Sequence, residues 1–119
     1  MNPLVLSTIP YYLSIIPLIS QYKRYNQYIA VICISTTLSA LWHYKSESSG
    51  IILYADYLFA SIWAAIEAYY IKESIILNAA ILYMNININK DNRYYIIQHS
   101  AWHLLNATKA FYIAVKCQD

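Results

Sequence analysis

Few residues in this chain can do chemistry. Its three histidines are His43, His99 and His103, and the last two stand four residues apart. On a helix that spacing puts both imidazoles on one face, where two neutral ring nitrogens can grip a single metal ion. Interhelical hydrogen bonding is the other use of such a pair. Asn106, seven residues on from His99, continues the same face. Ser39 precedes His43 by four residues, so a hydroxyl and an imidazole share a face of a second helix. Two carboxylates, Asp56 and Glu67, are embedded in apolar sequence.

The elements that must position these groups are long apolar runs. Of 119 residues, 60% are hydrophobic and 12% charged, against about 25% charged in an ordinary soluble domain. The charges sit in short clusters between runs at 4–20, 28–44, 51–71, 74–88 and 94–115. A membrane-crossing helix needs about 20 residues. The expectation is one domain over residues 1–119: an all-α, multi-pass integral membrane protein, a bundle of about five transmembrane helices. A Rossmann unit, a separate catalytic domain and a DNA-binding module have no room. The net charge of +2 comes from short flanking clusters and forms no basic stripe, so nucleic acid is not expected as a partner.

Along the chain, the first run has no basic residue before it and no small-residue cleavage site after it, and reads as a retained span. Pro10 and Pro17 should kink it. Residues 21–27, 45–50 (KSESSG) and 89–93 (NKDNR) read as polar connections, and the NININ stretch blurs the far end of the fourth run. The hydroxyls of Ser35, Thr36, Thr37 and Ser39 should face other helices. Tyrosine pairs such as Tyr11-Tyr12 and Tyr69-Tyr70 suit membrane interfaces. Cys33 and Cys117 imply no disulfide framework, and Cys117 reads as a juxtamembrane thiol. Asn106-Ala107-Thr108 fits the glycosylation pattern but falls inside an apolar segment, and is set aside.

An ionisable side chain at the centre of a span costs about 2.5–3.5 kcal/mol on insertion scales and is a functional candidate by default. Counting crossings groups the candidates. His43 ends the second run, and Asp56 lies near the start of the third across a short turn, on the same side. The third run crosses and the fourth returns. The fifth therefore begins on that side again, with His99 and His103 early in it. Three imidazoles, one carboxylate and one hydroxyl arrive at one level of the bilayer.

Ser39-x-x-x-His43, Asp56 in the next helix and His99-Ser-Ala-Trp-His103 near the start of the last helix resemble the CREST superfamily of membrane proteins, which includes alkaline ceramidases, adiponectin receptors and myomaker-like proteins. The segment QHSAWHLLNATKAFY is similar to the final helix of the ceramidase and myomaker-like branches, and YADYLFASIW is closer to the myomaker-like one. The resemblance implies that His43, His99 and His103 ligate zinc, that Asp56 holds or deprotonates a zinc-bound water, and that Ser39 hydrogen-bonds at the site. Three protein ligands leave a fourth position open, which suits hydrolysis of a ceramide-like amide or related lipid ester. The family usually has seven spans and this chain has room for five. The missing pair is an even number and preserves the sidedness of the site, while the lipid cavity is put in question.

The competing expectation is a non-catalytic membrane protein with a structural zinc or polar cluster, acting in membrane remodelling or as a helix-bundle partner. Membrane lipid is the expected partner, and a homo-oligomer would help to close a cavity. Glu67 lies roughly 16 Å from Asp56 along its helix at 1.5 Å per residue, at a depth comparable to Lys109. Either the two pair, or each reaches to the interface independently, and the second is preferred. Trp42 and Trp102, each beside a histidine, read as packing residues. Lys45, Lys90 and Arg93 flank the site, and Lys23, Arg24, Lys72 and Lys116 lie on the other side. The positive-inside rule thus slightly favours a luminal or outer site.

Overall fold

The computed structural model describes residues 2–45, 47–48 and 50–118. Ser46 and Ser49, in the turn expected at 45–50, lie outside the described residues. All regular structure among the described residues is helical. Helix α1 covers Pro3–Ile19 in three pieces, Pro3–Leu6, a 3-10 stretch Ile9–Ile15, and Ile16–Ile19. Then come α2 (Tyr22–Tyr44), α3 (Gly50–Tyr70), α4 (Ser74–Ile86) and α5 (Tyr95–Lys116).

The prolines explain why α1 is broken. Each of its pieces carries a proline in its first turn, where the missing N–H is harmless and the fixed φ is already helical. A proline within a continuous helix would remove a hydrogen bond and clash with the preceding turn. Asn2 caps the first piece through its side-chain oxygen, which accepts from the Leu4 N–H at 2.8 Å.

Two boundaries differ from the sequence reading. Residues 21–27 are not a loop, because α2 begins at Tyr22. Lys, Arg and Gln are good helix formers, and the polar stretch contains neither glycine nor proline. A local break survives at Tyr25 (φ −111°, ψ 18°), whose hydroxyl donates to the Cys117 carbonyl at 3.3 Å. The fourth run is also shorter than expected. Helix α4 has 13 residues, about 20 Å at 1.5 Å per residue, and stops at Ile86. There the amide of Asn87 turns back to donate to the Tyr83 carbonyl at 2.8 Å, a competition with the helix that asparagine wins readily.

The helices form a closed ring. Each packs on its neighbour in sequence, and α1 also packs on α5. Ala107, Ala110 and Ala114 are buried on α5, and small side chains there let other helices approach closely. The core holds Tyr11, Leu18, Tyr28, Ile32 and Trp63, with Tyr28 stacked on Tyr70 at 5.7 Å. Tyr11 is thus a core residue and not an interfacial one.

Polarity is distributed against the usual rule. Ser7, Thr8, Ser14, Ser35, Thr36, Ser74, Glu67 and the histidines are buried. Ile51, Tyr54, Ile76, Ile86 and Ile97 stand out from the surface. The expectation for the hydroxyl stretch is met at Ser35, Thr36 and Ser39, all buried. Thr37 is exposed, but its hydroxyl meets that of Tyr12 on α1 at 2.8 Å. Among the described helices, α3 (Gly50–Tyr70) is the one both long and apolar enough to cross a membrane by its own composition. Polar first turns, the hydroxyls of α2, and the histidines, Gln98, Asn106 and Lys109 of α5 lower the hydropathy of the other long helices.

Glu67 and Lys109 do not reach to an interface separately. Lys109 Nζ lies 2.8 Å from Glu67 Oε1 with both side chains buried, and also donates to Asn78 Oδ1 at 2.9 Å. The Asn78 amide donates to Glu67 Oε1 at 3.0 Å. Asn78 supplies what the sequence reading lacked: a third group, on α4, that serves the ammonium and the carboxylate at once. Removing one partner strands a buried charge, which typically costs about 3–5 kcal/mol. Lys109→Ala is expected to lower stability by that amount in denaturant unfolding in detergent. The apolar pair Glu67→Leu with Lys109→Met should recover most of the loss.

Candidate metal centre

His43 lies in the last turn of α2, and His99 and His103 project from the second and third turns of α5. Crossing parity groups them in sequence, and α1 is what holds them in register. The Asn2 side-chain amide donates to the His43 carbonyl at 3.2 Å, tying the start of α1 to the end of α2. One turn later Ser7 Oγ lies 2.7 Å from His103 Nδ1. The first helix therefore touches both sides of the cluster.

The three histidines are buried, His43 and His103 to 1% exposure. Each offers a ligand nitrogen, and these nitrogens all lie within 4.8 Å of one another. Ring centroids are separated by 4.9 Å for His43 and His99, 4.9 Å for His43 and His103, and 4.5 Å for His99 and His103. Tyr11 packs edge-on to His103 at 5.8 Å. Trp42 packs against His43, and Trp102 against His99 and His103.

Two features of the cluster fit a shared cation. The first is a tautomer. Ser7 Oγ has the Leu4 carbonyl at 3.0 Å as well as His103 Nδ1 at 2.7 Å, and when its single hydrogen goes to Leu4 it accepts from His103. That arrangement puts the ring hydrogen on Nδ1 and leaves a bare lone pair on Nε2. That lone pair faces His43 Nε2 at 3.3 Å. Two metal–nitrogen bonds of about 2.0–2.1 Å at a tetrahedral angle put their donors about 3.3–3.4 Å apart. The second is an unpaired nitrogen: His99 Nδ1, like His43 Nδ1, is buried with no hydrogen-bond partner among the described residues, where buried polar atoms are normally paired. His43, His99 and His103 form a group that could hold a metal ion, and three imidazoles suit zinc, copper, iron or nickel.

The other expected site residues are distributed differently. Ser39 is buried one turn before His43, but the hydroxyl that meets a histidine nitrogen belongs to Ser7. Asp56 is half-buried on α3, outside the group of converging ligand atoms. Its field reaches the Tyr11 hydroxyl, which accepts from the Asn106 amide at 3.2 Å. Sequence reasoning passed over Asn2, Ser7 and Tyr11, because they reach the cluster from a helix 96 residues away in the case of Ser7 and His103. It also passed over Glu47. That residue carried a local signal, four positions after His43, and the polar turn around it concealed the signal.

A groove of about 360 Å³ runs between α4 and α5, lined by Met84, Ile88, Gln98, Trp102 and Leu105 among others. Trp102 belongs to both features. Its indole lines the groove, its ring lies 5.5 Å from His99 and 5.6 Å from His103, and its Nε1 donates to the Ile81 carbonyl at 2.7 Å. Comparison of the chain with protein-family models, with curated proteins and with solved structures finds no match.

His103→Ala is expected to reduce bound metal from about one ion per chain towards none, read by elemental analysis of purified protein. Ser7→Ala should keep the metal but weaken it about 10-fold, at the lower end of the range for orienting groups behind a ligand. Competition with a chelator of known affinity measures that change.

Proposed function

We propose that this protein is a multi-pass membrane hydrolase that uses zinc held by His43, His99 and His103 to cleave a lipid amide or ester. The observation that carries the reading is the convergence of three buried imidazole nitrogens within 4.8 Å, inside a bundle whose outer faces are apolar. Exposed apolar side chains and buried hydroxyls fit a hydrocarbon surround better than water. Helices α2 and α3, with 23 and 21 residues, match a core about 30 Å thick. The motif resemblance to the CREST superfamily supports the same reading.

Zinc on three protein ligands supplies a Lewis acid that polarises a carbonyl and activates water near neutral pH. The chain's own residues divide the remaining work. Ser7 holds the tautomer of His103. The groove beside Trp102 is lined mainly by apolar groups and suits an acyl chain, with Asn87 and Gln98 as its polar members. Asp56 is the general base, taking a proton from the attacking water on a carboxylate oxygen, and Ser39 is a hydrogen-bond donor to the developing oxyanion.

One observation favours a second reading, in which the metal is structural and the protein acts in membrane remodelling. Asp56 stands outside the converging group, and Trp102 lies between the groove and the imidazoles. Metal content and turnover separate the two. Asp56→Asn should retain zinc and lose at least about 100-fold in fatty-acid release from ceramide or phospholipid substrates, as removal of a general base does. Zinc-loaded wild type that releases no fatty acid from these lipids would leave the structural reading. The membrane placement is checked separately by retention of the chain in the membrane pellet after an alkaline carbonate wash.

A further inference from the structure

The turn after α2 returns a carboxylate to the metal cluster. The N–H of Glu47 donates to the Trp42 carbonyl at 2.8 Å, the long closing bond of a Schellman-type helix end. Glu47 itself has a φ of +60°, a left-handed conformation that disfavours a side chain with a Cβ. Such a conformation persists only where the surroundings over-determine it, and it gathers at functional sites.

Those surroundings all engage the carboxylate. The Tyr95 hydroxyl, from the first turn of α5, donates to Glu47 Oε1 at 2.5 Å. Lys90, in the connection before α5, has its ammonium 3.7 Å from Oε2. The same Oε1 lies 3.5 Å from His43 Nδ1. The Glu47 side chain is 9% exposed, although its turn is at the end of the bundle. The contact is electrostatic and not a hydrogen bond, since His43 Nδ1 has no hydrogen-bond partner among the described residues, and an anion on that side favours a hydrogen on Nδ1. With that tautomer His43 turns a bare Nε2 towards His103 Nε2. The two Nε2 atoms lie 3.3 Å apart, a separation met either by one ring hydrogen shared between them or, with both nitrogens bare, by a cation.

We propose that Glu47 is a positioning residue for the metal centre: its carboxylate, held by Tyr95 and Lys90, fixes the tautomer and basicity of His43 as a ligand. The inference rests on the metal reading above and names a residue that reading did not use. Carboxylate groups behind a ligating histidine raise its basicity and fix its ring, and their loss typically weakens metal binding about 10- to 100-fold. The carboxylate that this geometry assigns to the centre is Glu47 on the turn, whatever the role of Asp56.

The test is zinc affinity of full-length protein in detergent, by chelator competition, with cobalt(II) absorption as a report on ligand geometry. Glu47→Gln keeps the size and the hydrogen-bonding oxygen but removes the charge, and should weaken zinc about 10- to 100-fold. Glu47→Gly relieves the left-handed backbone. It should therefore leave the metal-free protein as stable as wild type, or more so, while weakening zinc at least as much. Tyr95→Phe should give a smaller loss. Wild-type affinity in both Glu47 variants would overturn the proposal while leaving the three-histidine centre intact. A wild type that binds no zinc or cobalt would overturn the centre itself, and this proposal with it.

Discussion

Two imidazole nitrogens 3.3 Å apart inside an apolar bundle impose the condition that the rest of this structure answers. Neutral rings with both lone pairs turned inward repel, and protonated rings would bring positive charges together where little water can screen them. A shared cation removes both difficulties. The neighbouring groups fit that solution from outside the cluster: the Ser7 hydroxyl hydrogen-bonds His103 Nδ1, and Glu47 sits behind His43. The metal-free alternative is a hydrogen-bonded pair in which one ring donates its Nε2 hydrogen to the other.

The broken first helix makes that arrangement possible. A straight α1 could pack well against one neighbour. In three pieces it bonds the His43 carbonyl through Asn2, meets His103 through Ser7, and leaves Tyr11 against both His103 and Trp63. At the other end of the bundle a different polar group ties the ring: Glu67, Lys109 and Asn78 join α3, α4 and α5. The core between the two ends is aromatic and alanine-rich. Polar contacts therefore set the register at each end, and apolar packing fills the middle.

Much of the site was legible in the sequence because it depends on local spacing and on parity. His99 and His103 share a face by helical geometry, and the alternation of helix direction returns that face to the end of the bundle where His43 lies. The helices themselves follow from apolar runs, with errors where the rules compete. Residues 21–27 were polar enough to read as a loop, yet contained nothing that stops a helix. The groups behind the ligands were illegible for a different reason. Ser7 and Asn78 acquire their roles only from which faces of α1 and α4 turn inward, and no spacing rule expresses that. Glu47 depends on a backbone reversal that charge pattern does not encode. Glu67 and Lys109 were both visible, but their pairing needed Asn78 between them.

The contact between α1 and α5 has a consequence for biogenesis. The hydrogen bond between Ser7 and His103 joins residues 96 positions apart, so the ring closes only after the last helix has left the ribosome and docked. Until then Ser7 and Tyr11 of α1 lack their partners His103 and Asn106 on α5, and His43 waits at an open seam. Long-range closure of this kind is slow, because chain entropy is spent before the contact rewards it. Metal capture by the completed seam would act as a latch on assembly. A cell starved of the ion would then accumulate chains whose helices are made but whose ring is unsealed.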